Sequence, residues 1–203
     1  TTNSFRVGPI GYNSAKKELT DKLKDYWQSE DSLLIHFIGK DNIVFHCIIF
    51  PAMLKAHGEF VLPDNVPANE FLNIEGEKVS TSRNWAVWVN EYLEDFKGCE
   101  DVLRYVLCSN APETKDNDFT WKDFHEKNNS ELANIFGNFV NRTFVLMHKW
   151  FMGKVPTLNQ NELNELDKGL IKNIQQSAIK VQQSIEEFKF REALFEVIDL
   201  SRK

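Results

Sequence analysis

The spacing of apolar residues follows one rule in the first third of the chain and another beyond it. Leu33-Leu34-Ile35-His36-Phe37-Ile38 is a continuous, mostly apolar run stopped by Gly39. Its length and glycine stop predict a buried parallel strand. Ahead of it, Ser14 caps a predicted helix over about 15–28, with Leu19, Leu23 and Trp27 on one face. Behind it, Asp41 or Asn42 caps a predicted helix over about 43–56, with Gly58 past its end and Pro51 forcing a kink or break inside. Glu70-Phe71-Leu72-Asn73-Ile74 reads as the next strand. Strand, glycine turn and capped helix make half of a βαβ unit, and ligands collect at the carboxyl ends of such strands. The turn at 39–42 and the segment after Ile74 are therefore expected on the same sheet edge.

Past residue 86 the period becomes helical and stays so. Helices are predicted over about 87–96, 100–110, 120–127 and 129–152, the last closed by Gly153 and Pro156. From Asn161 onward Leu163, Leu166, Leu170, Ile174, Ala178, Val181 and Ile185 keep helical spacing, with a break near Phe188–Phe190. The polar stretch over 111–118, with one proline, is the best boundary. The expected architecture is α/β then all-α, with an antiparallel helix bundle in the second part. The domains are expected at 1–115 and 116–203.

Composition narrows the classes. At 203 residues, 42% apolar and 27% charged, the chain reads as an ordinary globular protein, rich in Phe (16) and Trp (5). No apolar run approaches the ~18 residues of a membrane-spanning helix, and the first residues lack a signal-peptide layout. Cys47, Cys99 and Cys108 form no C-x-x-C pair, which suits reduced thiols in the cytoplasm and supplies no metal site. The net charge of −6 argues against non-specific nucleic-acid binding. From Thr120 onward, however, 12 Lys/Arg stand against 11 Asp/Glu, so the helical part permits a specific RNA contact.

Three stretches carry candidate chemistry. The segment from Ile74 to Arg83 has no apolar face to bury and is expected to be a mobile surface loop. Its Lys78, Ser80, Ser82 and Arg83 suit a polyphosphate, since cations neutralise charge while hydroxyls and backbone N–H groups donate to oxygens. Taken alone it reads first as a plain solvated turn. Gly39-Lys40-Asp41-Asn42 places a glycine and a carboxylate at a strand-to-helix turn, where a sugar hydroxyl could be held or the carboxylate could simply cap the helix. On the long helix Asn134, Asn138 and Arg142 recur every four residues. Amides and guanidinium planes can pair with unstacked RNA bases, although a solvated helix face has the same pattern.

Gly8-Pro9-Ile10-Gly11-Tyr12, Phe37-Ile38-Gly39-Lys40-Asp41-Asn42 and Lys78-Val79-Ser80-Thr81-Ser82, in that order, resemble the second half of the nucleotide-binding domain of methionyl-tRNA synthetases, a class I synthetase family. The last motif looks like that family's KMSKS signature in a KMSTS-like form. The likeness runs from about Val7 to the end of the chain. It implies the C-terminal half of a Rossmann-like catalytic domain, followed by the start of a helical anticodon-binding domain. It further implies ATP, with Mg2+, and methionine and tRNA(Met) as partners, in a methionine–tRNA ligase that works in the cytoplasm through a methionyl-adenylate. Gly39, Asp41, Lys78 and Val79 would meet ATP, and Lys78, Ser80 and Ser82 would act on the leaving pyrophosphate. Thr81 stands where the signature has its second lysine, and Arg83 is the expected substitute. Pro9, Tyr12, Phe45 and His46 match the family's methionine pocket, whose aromatic walls suit a thioether. Asn138 and Arg142 match residues that contact the CAU anticodon.

The resemblance has departures. Asn42 replaces a usual aliphatic residue, and Phe5 and Gly8 stand where the family has Trp and Ala, so residues 1–7 look like a junction or an unusual variant. The HIGH-motif half, the connective region that can carry zinc, and the anticodon-stacking Trp have no counterpart here. A fragment, inactive alone, is therefore expected. Two other readings remain open on the residues: a non-catalytic helical tRNA- or protein-binding module on a degenerate nucleotide fold, and a class I synthetase for Leu, Ile or Val.

Overall fold

The computed structural model describes Gly11, Tyr12 and residues 22–203, leaving out the Leu23 side chain. Pro9, Ser14, Leu19 and most of the helix expected over 15–28 lie outside the described residues. Its last turn is α1, Leu23–Trp27. The chain divides into two compact units, Thr1–Phe71 and Leu72–Lys203.

In the first unit the apolar run lies parallel to residues 64–69. Asp64 N–H donates to Leu34 O (2.9 Å), His36 N–H to Asn65 O (3.1 Å) and Ile38 N–H to Pro67 O (3.1 Å). Regular pairing is confined to β1 (Ile38–Gly39) and β2 (Ala68–Asn69), with Ile38 opposite Ala68 and Gly39 opposite Asn69. The expected buried strand is instead half-exposed: Leu33 and Phe37 are 71% and 57% exposed, while His36, on the other face, is buried. Alternation along an extended chain produces this split, which a continuous apolar run conceals.

A 3-10 turn, Lys40–Asn42, leads into the next helix, and no side chain caps that turn. The cap expected of Asp41 or Asn42 is thus absent. Pro51 does not break the helix either. A π-helical turn, Phe45–Ile49, widens the backbone just before α2 (Phe50–His57), and Pro51 sits in the first turn of α2, where its missing N–H costs little. Gly58 closes α2 at φ 85°, its N–H donating to Leu54 O at 3.1 Å. Trp27, Phe50 and Leu54 form the core of this unit, with Leu34 and Phe60 against it.

The second unit opens with β3 (Leu72–Ile74) and β4 (Glu77–Lys78), which with β5 (Asn117–Phe119) form a sheet ordered β4-β3-β5. The strand expected over 70–74 is observed only as Leu72–Ile74, which pairs antiparallel with β4 and parallel with β5, and the partner of β1 is instead Ala68–Asn69 just before it. The expectation of one sheet edge shared by both turns is corrected accordingly. The domain boundary expected at 115/116 falls inside this unit, because β5 lies in the polar stretch and aligns Leu72, Asn73 and Ile74 with Asn117, Asp118 and Phe119. Pairing to a partner strand, not local propensity, makes that segment a strand.

Helices α3 (Val89–Asp95) and α4 (Glu100–Ser109) form where the periodicity places them. Thr120 caps α5 (Trp121–Lys127), its hydroxyl accepting from Asp123 N–H at 3.0 Å. A π-helical stretch, Asn128–Gly137, continues into α6 (Asn138–Phe151), which stops at two positive-φ residues, Met152 and Gly153. An Asn164/Asp167 capping box starts α7 (Glu165–Glu186), and α8 (Phe190–Leu200) packs back on it. Tyr92, Leu103, Tyr105, Val106, Phe119 and Ile198 make the core. Of the expected antiparallel bundle, the described contacts are those of α8 with α7 and with α4. Helix α6 is not enclosed by it, and its Phe144, Val145 and Trp150 are exposed. No described helix is long and apolar enough to cross a membrane.

Candidate functional site

Tyr12 and His46 meet in the first unit, 34 residues apart in sequence, with Tyr12 Oη and His46 Nε2 at 3.0 Å. His46 Nδ1 lies 3.1 Å from Asn42 O. A carbonyl only accepts, so in the neutral ring Nδ1 carries the proton and Nε2 accepts from the Tyr12 hydroxyl. The π-helical turn supplies this geometry by putting His46 inward and Phe45 half-buried beside it. Two more rings complete the cluster. His36 lies 5.7 Å from Tyr12 and 5.4 Å from His46, and Phe50 lies 6.0 Å from Tyr12 and 5.7 Å from His36. Burial, and then the neighbouring His46, push the His36 pKa below the usual histidine value. Its Nε2 is buried without a hydrogen-bond partner among the described residues.

Five residues before His46, Asp41 is exposed on the 3-10 turn. Gly39 there has φ −86° and ψ 155°, so no left-handed backbone demands a glycine. The demand is steric: a Cβ at position 39 would lie 2.8 Å from Asp41 Oδ1. Lys40 is held at Glu70 (Nζ–Oε2 2.5 Å) and over the Phe71 ring at 4.4 Å, tying the end of β1 to the end of β2.

The 74–83 segment, expected to be a surface loop, takes the form of a hydrogen-bonded hairpin. Glu75 (φ 51°) and Gly76 (φ 80°) form a two-residue turn with both φ positive, the kind that suits the twist of paired strands. Gly76 N–H donates to the Asp118 carboxylate at 2.9 Å, and Trp121 N–H donates to Glu75 Oε1 at 2.8 Å. A second closure follows, with Ser80 N–H to Trp85 O at 2.9 Å and Trp85 N–H to Ser80 O at 2.8 Å. Between them the Ser80 and Ser82 hydroxyls stand 3.2 Å apart. Lys78 is exposed. Arg83 turns back on its own hairpin, 3.7 Å from Glu77 Oε2, and its Nη2 donates to Lys78 O at 3.4 Å. Val79, itself exposed, lines an apolar cavity of about 220 Å³ with Leu72, Ile74, Leu103 and Phe119.

Asn134, Asn138 and Arg142 line one groove of about 410 Å³, closed on its other side by Ser201, Arg202 and Lys203 at the end of α8. The i, i+4 stripe legible in the sequence is thus kept across the junction of the π-helical stretch and α6.

A model of the family described as tRNA synthetases class I (M) matches residues 7–144, well over half of the chain. The chain belongs to the class I tRNA synthetases (M). Among relatives of this class I chain, the methionine–tRNA ligase of Cytophaga hutchinsonii is 57% identical over 96% of the chain and 30% of its own length. That of Porphyromonas gingivalis is 61% identical over 96% of the chain and 28% of its own length. The chain thus spans less than a third of the length of these relatives. A solved structure of the Mycobacterium tuberculosis methionyl-tRNA synthetase bound by methionyl-adenylate is similar over 90% of this chain and 34% of that one, with 26% identity and a TM-score of 0.76. These relatives favour neither the non-catalytic module nor a synthetase for another aliphatic amino acid.

Within this class I chain the first unit brings Tyr12 and His46 together and places Phe45 and the Gly39–Asp41 turn on the same short stretch. The second unit gathers Lys78, Ser80, Ser82 and Arg83 on one hairpin, and Asn138 with Arg142 in one groove. Pro9 lies outside the described residues. Sequence reasoning missed His36 and Phe50. His36 was absorbed into an apolar run, and the only signal for it was a histidine two residues before that run ends.

Proposed function

We propose that this chain carries the second half of the activation site of a methionine–tRNA ligase, which joins methionine to tRNA(Met) through a methionyl-adenylate in the cytoplasm. The observation that carries the reading is the Tyr12–His46 hydrogen bond beside an exposed, non-capping Asp41. An aromatic cluster and an exposed carboxylate stand five residues apart in sequence, as an amino acid and a nucleotide sugar that must react together require. Pro9, Tyr12, Phe45 and His46 would wall the methionine side chain, where sulfur–ring contacts contribute ~0.3–1.5 kcal/mol each. Asp41 would accept from the ribose hydroxyls, with the nucleotide close over Gly39.

In the reaction the methionine carboxylate oxygen bonds to the α-phosphorus of ATP, the bond from that phosphorus to the bridging oxygen breaks, and pyrophosphate leaves. No general base is needed; positioning and charge stabilisation carry the barrier. Lys78, with the paired hydroxyls of Ser80 and Ser82, would stabilise the charge that develops on pyrophosphate. Val79, its side chain lining the apolar cavity, would act through its backbone. Magnesium would arrive on the phosphates: no group of three or more His, Cys, Asp or Glu among the described residues could hold a metal, and none is assigned to it. Residues 1–115 would thus serve activation and 116–203 anticodon recognition, where Asn138 and Arg142 read bases. The test is methionine-dependent ATP–pyrophosphate exchange by the full-length protein. Lys78→Ala should lower the exchange rate at least tenfold with little change in the methionine KM, and an unchanged rate would remove the reading.

A further inference from the structure

The groove between α6 and the end of α8 holds more positive charge than base reading needs. Arg142, Arg202 and Lys203 all line it, and no acidic residue does, in a chain whose net charge is −6. Several cations elsewhere in this unit are paired with carboxylates, whereas, among the described residues, the two guanidiniums of the groove are not. Arg83, Arg104, Lys127, Lys168 and Lys189 are each within 4 Å of a carboxylate. Arg142 and Arg202 make no side-chain hydrogen bond or ion pair among the described residues, and Asn134 and Asn138 likewise make no side-chain hydrogen bond. The charge of Arg202 acts within the protein on the Tyr105 hydroxyl, which itself donates to Glu131 at 2.5 Å. Lys203 is partly satisfied by Asp199 at 3.2 Å.

Two amides and one guanidinium in an i, i+4 row can pair with base edges. A second, exposed guanidinium on the opposite wall is set for another kind of group. Single-stranded RNA offers bases on one side and phosphates on the other, so a groove about 410 Å³ in volume with bidentate donors on both walls complements it. We propose that Arg202 is a phosphate-binding residue that anchors the backbone of an RNA loop whose bases meet Asn138 and Arg142. The proposal rests on the anticodon reading above and adds to it a residue from the far wall. Phosphate contacts fix register without reading sequence, and each one gives the affinity a salt dependence.

The experiment uses the full-length protein and fluorescent 17-nucleotide stem-loops, one with a CAU anticodon and one with GGC. Affinity is measured between 50 and 300 mM KCl. Arg202→Gln should weaken both loops by the same factor, about three- to tenfold, and reduce the slope of log affinity against log salt by ~0.7. Arg202→Lys should keep the slope. Asn138→Ala and Arg142→Ala should instead weaken the CAU loop more than the GGC loop. Unchanged affinity and slope for Arg202→Gln would overturn the proposal, as would a loss confined to the CAU loop. So would tighter wild-type binding of a poly-glutamate peptide than of either loop, which would make the groove a protein-docking site. If Asn138→Ala and Arg142→Ala weaken both loops equally, the anticodon reading fails while the Arg202 result still stands or falls on its own slope.

Discussion

Gly39→Ala separates the nucleotide from the amino acid within one unit. The backbone at position 39 has φ −86° and ψ 155°, which alanine adopts without strain. The new methyl group would stand 2.8 Å from Asp41 Oδ1, well inside ordinary van der Waals contact, so the carboxylate has to swing away. Because Asp41 is exposed and caps nothing, that movement should change stability by less than about 0.5 kcal/mol. A hydrogen bond to a charged group contributes ~1.5–3 kcal/mol, so if Asp41 holds the ribose the ATP KM should rise about 10- to 100-fold. The methionine KM should stay within about twofold, since the Tyr12–His46 pair is untouched. Steady-state ATP–pyrophosphate exchange with each substrate varied gives both constants. In an Asp41→Ala background, Gly39→Ala should add almost nothing, because both changes act through one carboxylate. An ATP KM unchanged by Gly39→Ala, or full additivity of the two changes, would refute the argument.

Tyr12→Phe removes the donor to His46 Nε2 and leaves a buried ring nitrogen unpaired, a loss of ~1–3 kcal/mol; the methionine KM should rise roughly 5- to 100-fold in exchange assays, with ATP little affected. Arg83→Ala breaks an exposed 3.7 Å pair with Glu77 and a 3.4 Å hydrogen bond to Lys78 O, so if Arg83 replaces the missing second lysine the exchange rate should fall, and a rate equal to wild type would assign that role elsewhere. The lowered His36 pKa makes stability depend on pH with a definite sign. The unfolded chain takes up the proton first as pH falls, so the stabilisation is complete above about pH 6.5 and is lost progressively below it. Thermal melting between pH 7.5 and 5 should show this fall, and His36→Gln should flatten it; an unaltered profile would show that other groups cause the dependence.

How much was legible varied with what each element depends on. Helices α3 to α8 were readable because their stops are local: Gly153 after α6, the Asn164 capping box before α7 and the Thr120 cap of α5 act within a few residues of themselves. The Lys78 hairpin reads as a plain loop in the sequence, because the partners that hold its turn, Asp118 and Trp121, lie more than 40 residues away. The Asp41 cap was expected because carboxylates commonly cap helices. The 3-10 entry and the following π-helical turn, which changes register ahead of Pro51, left no N–H aligned for it.

Local chemistry, then, was written in the sequence: the glycine-aspartate turn, the cationic run from Lys78 to Arg83, the Asn138–Arg142 stripe and the helix ends all follow from neighbours within about five positions, where backbone geometry sets which side chains meet. Tertiary structure alone decided which distant groups became partners. It set Tyr12 on His46, buried His36 beside them, made Asn117–Phe119 a strand by pairing it with Leu72–Ile74, and brought Arg202 across from Arg142. These contacts depend on packing and hydrogen bonding between segments 30 to 60 residues apart, and no local pattern of apolar and polar residues encodes that choice.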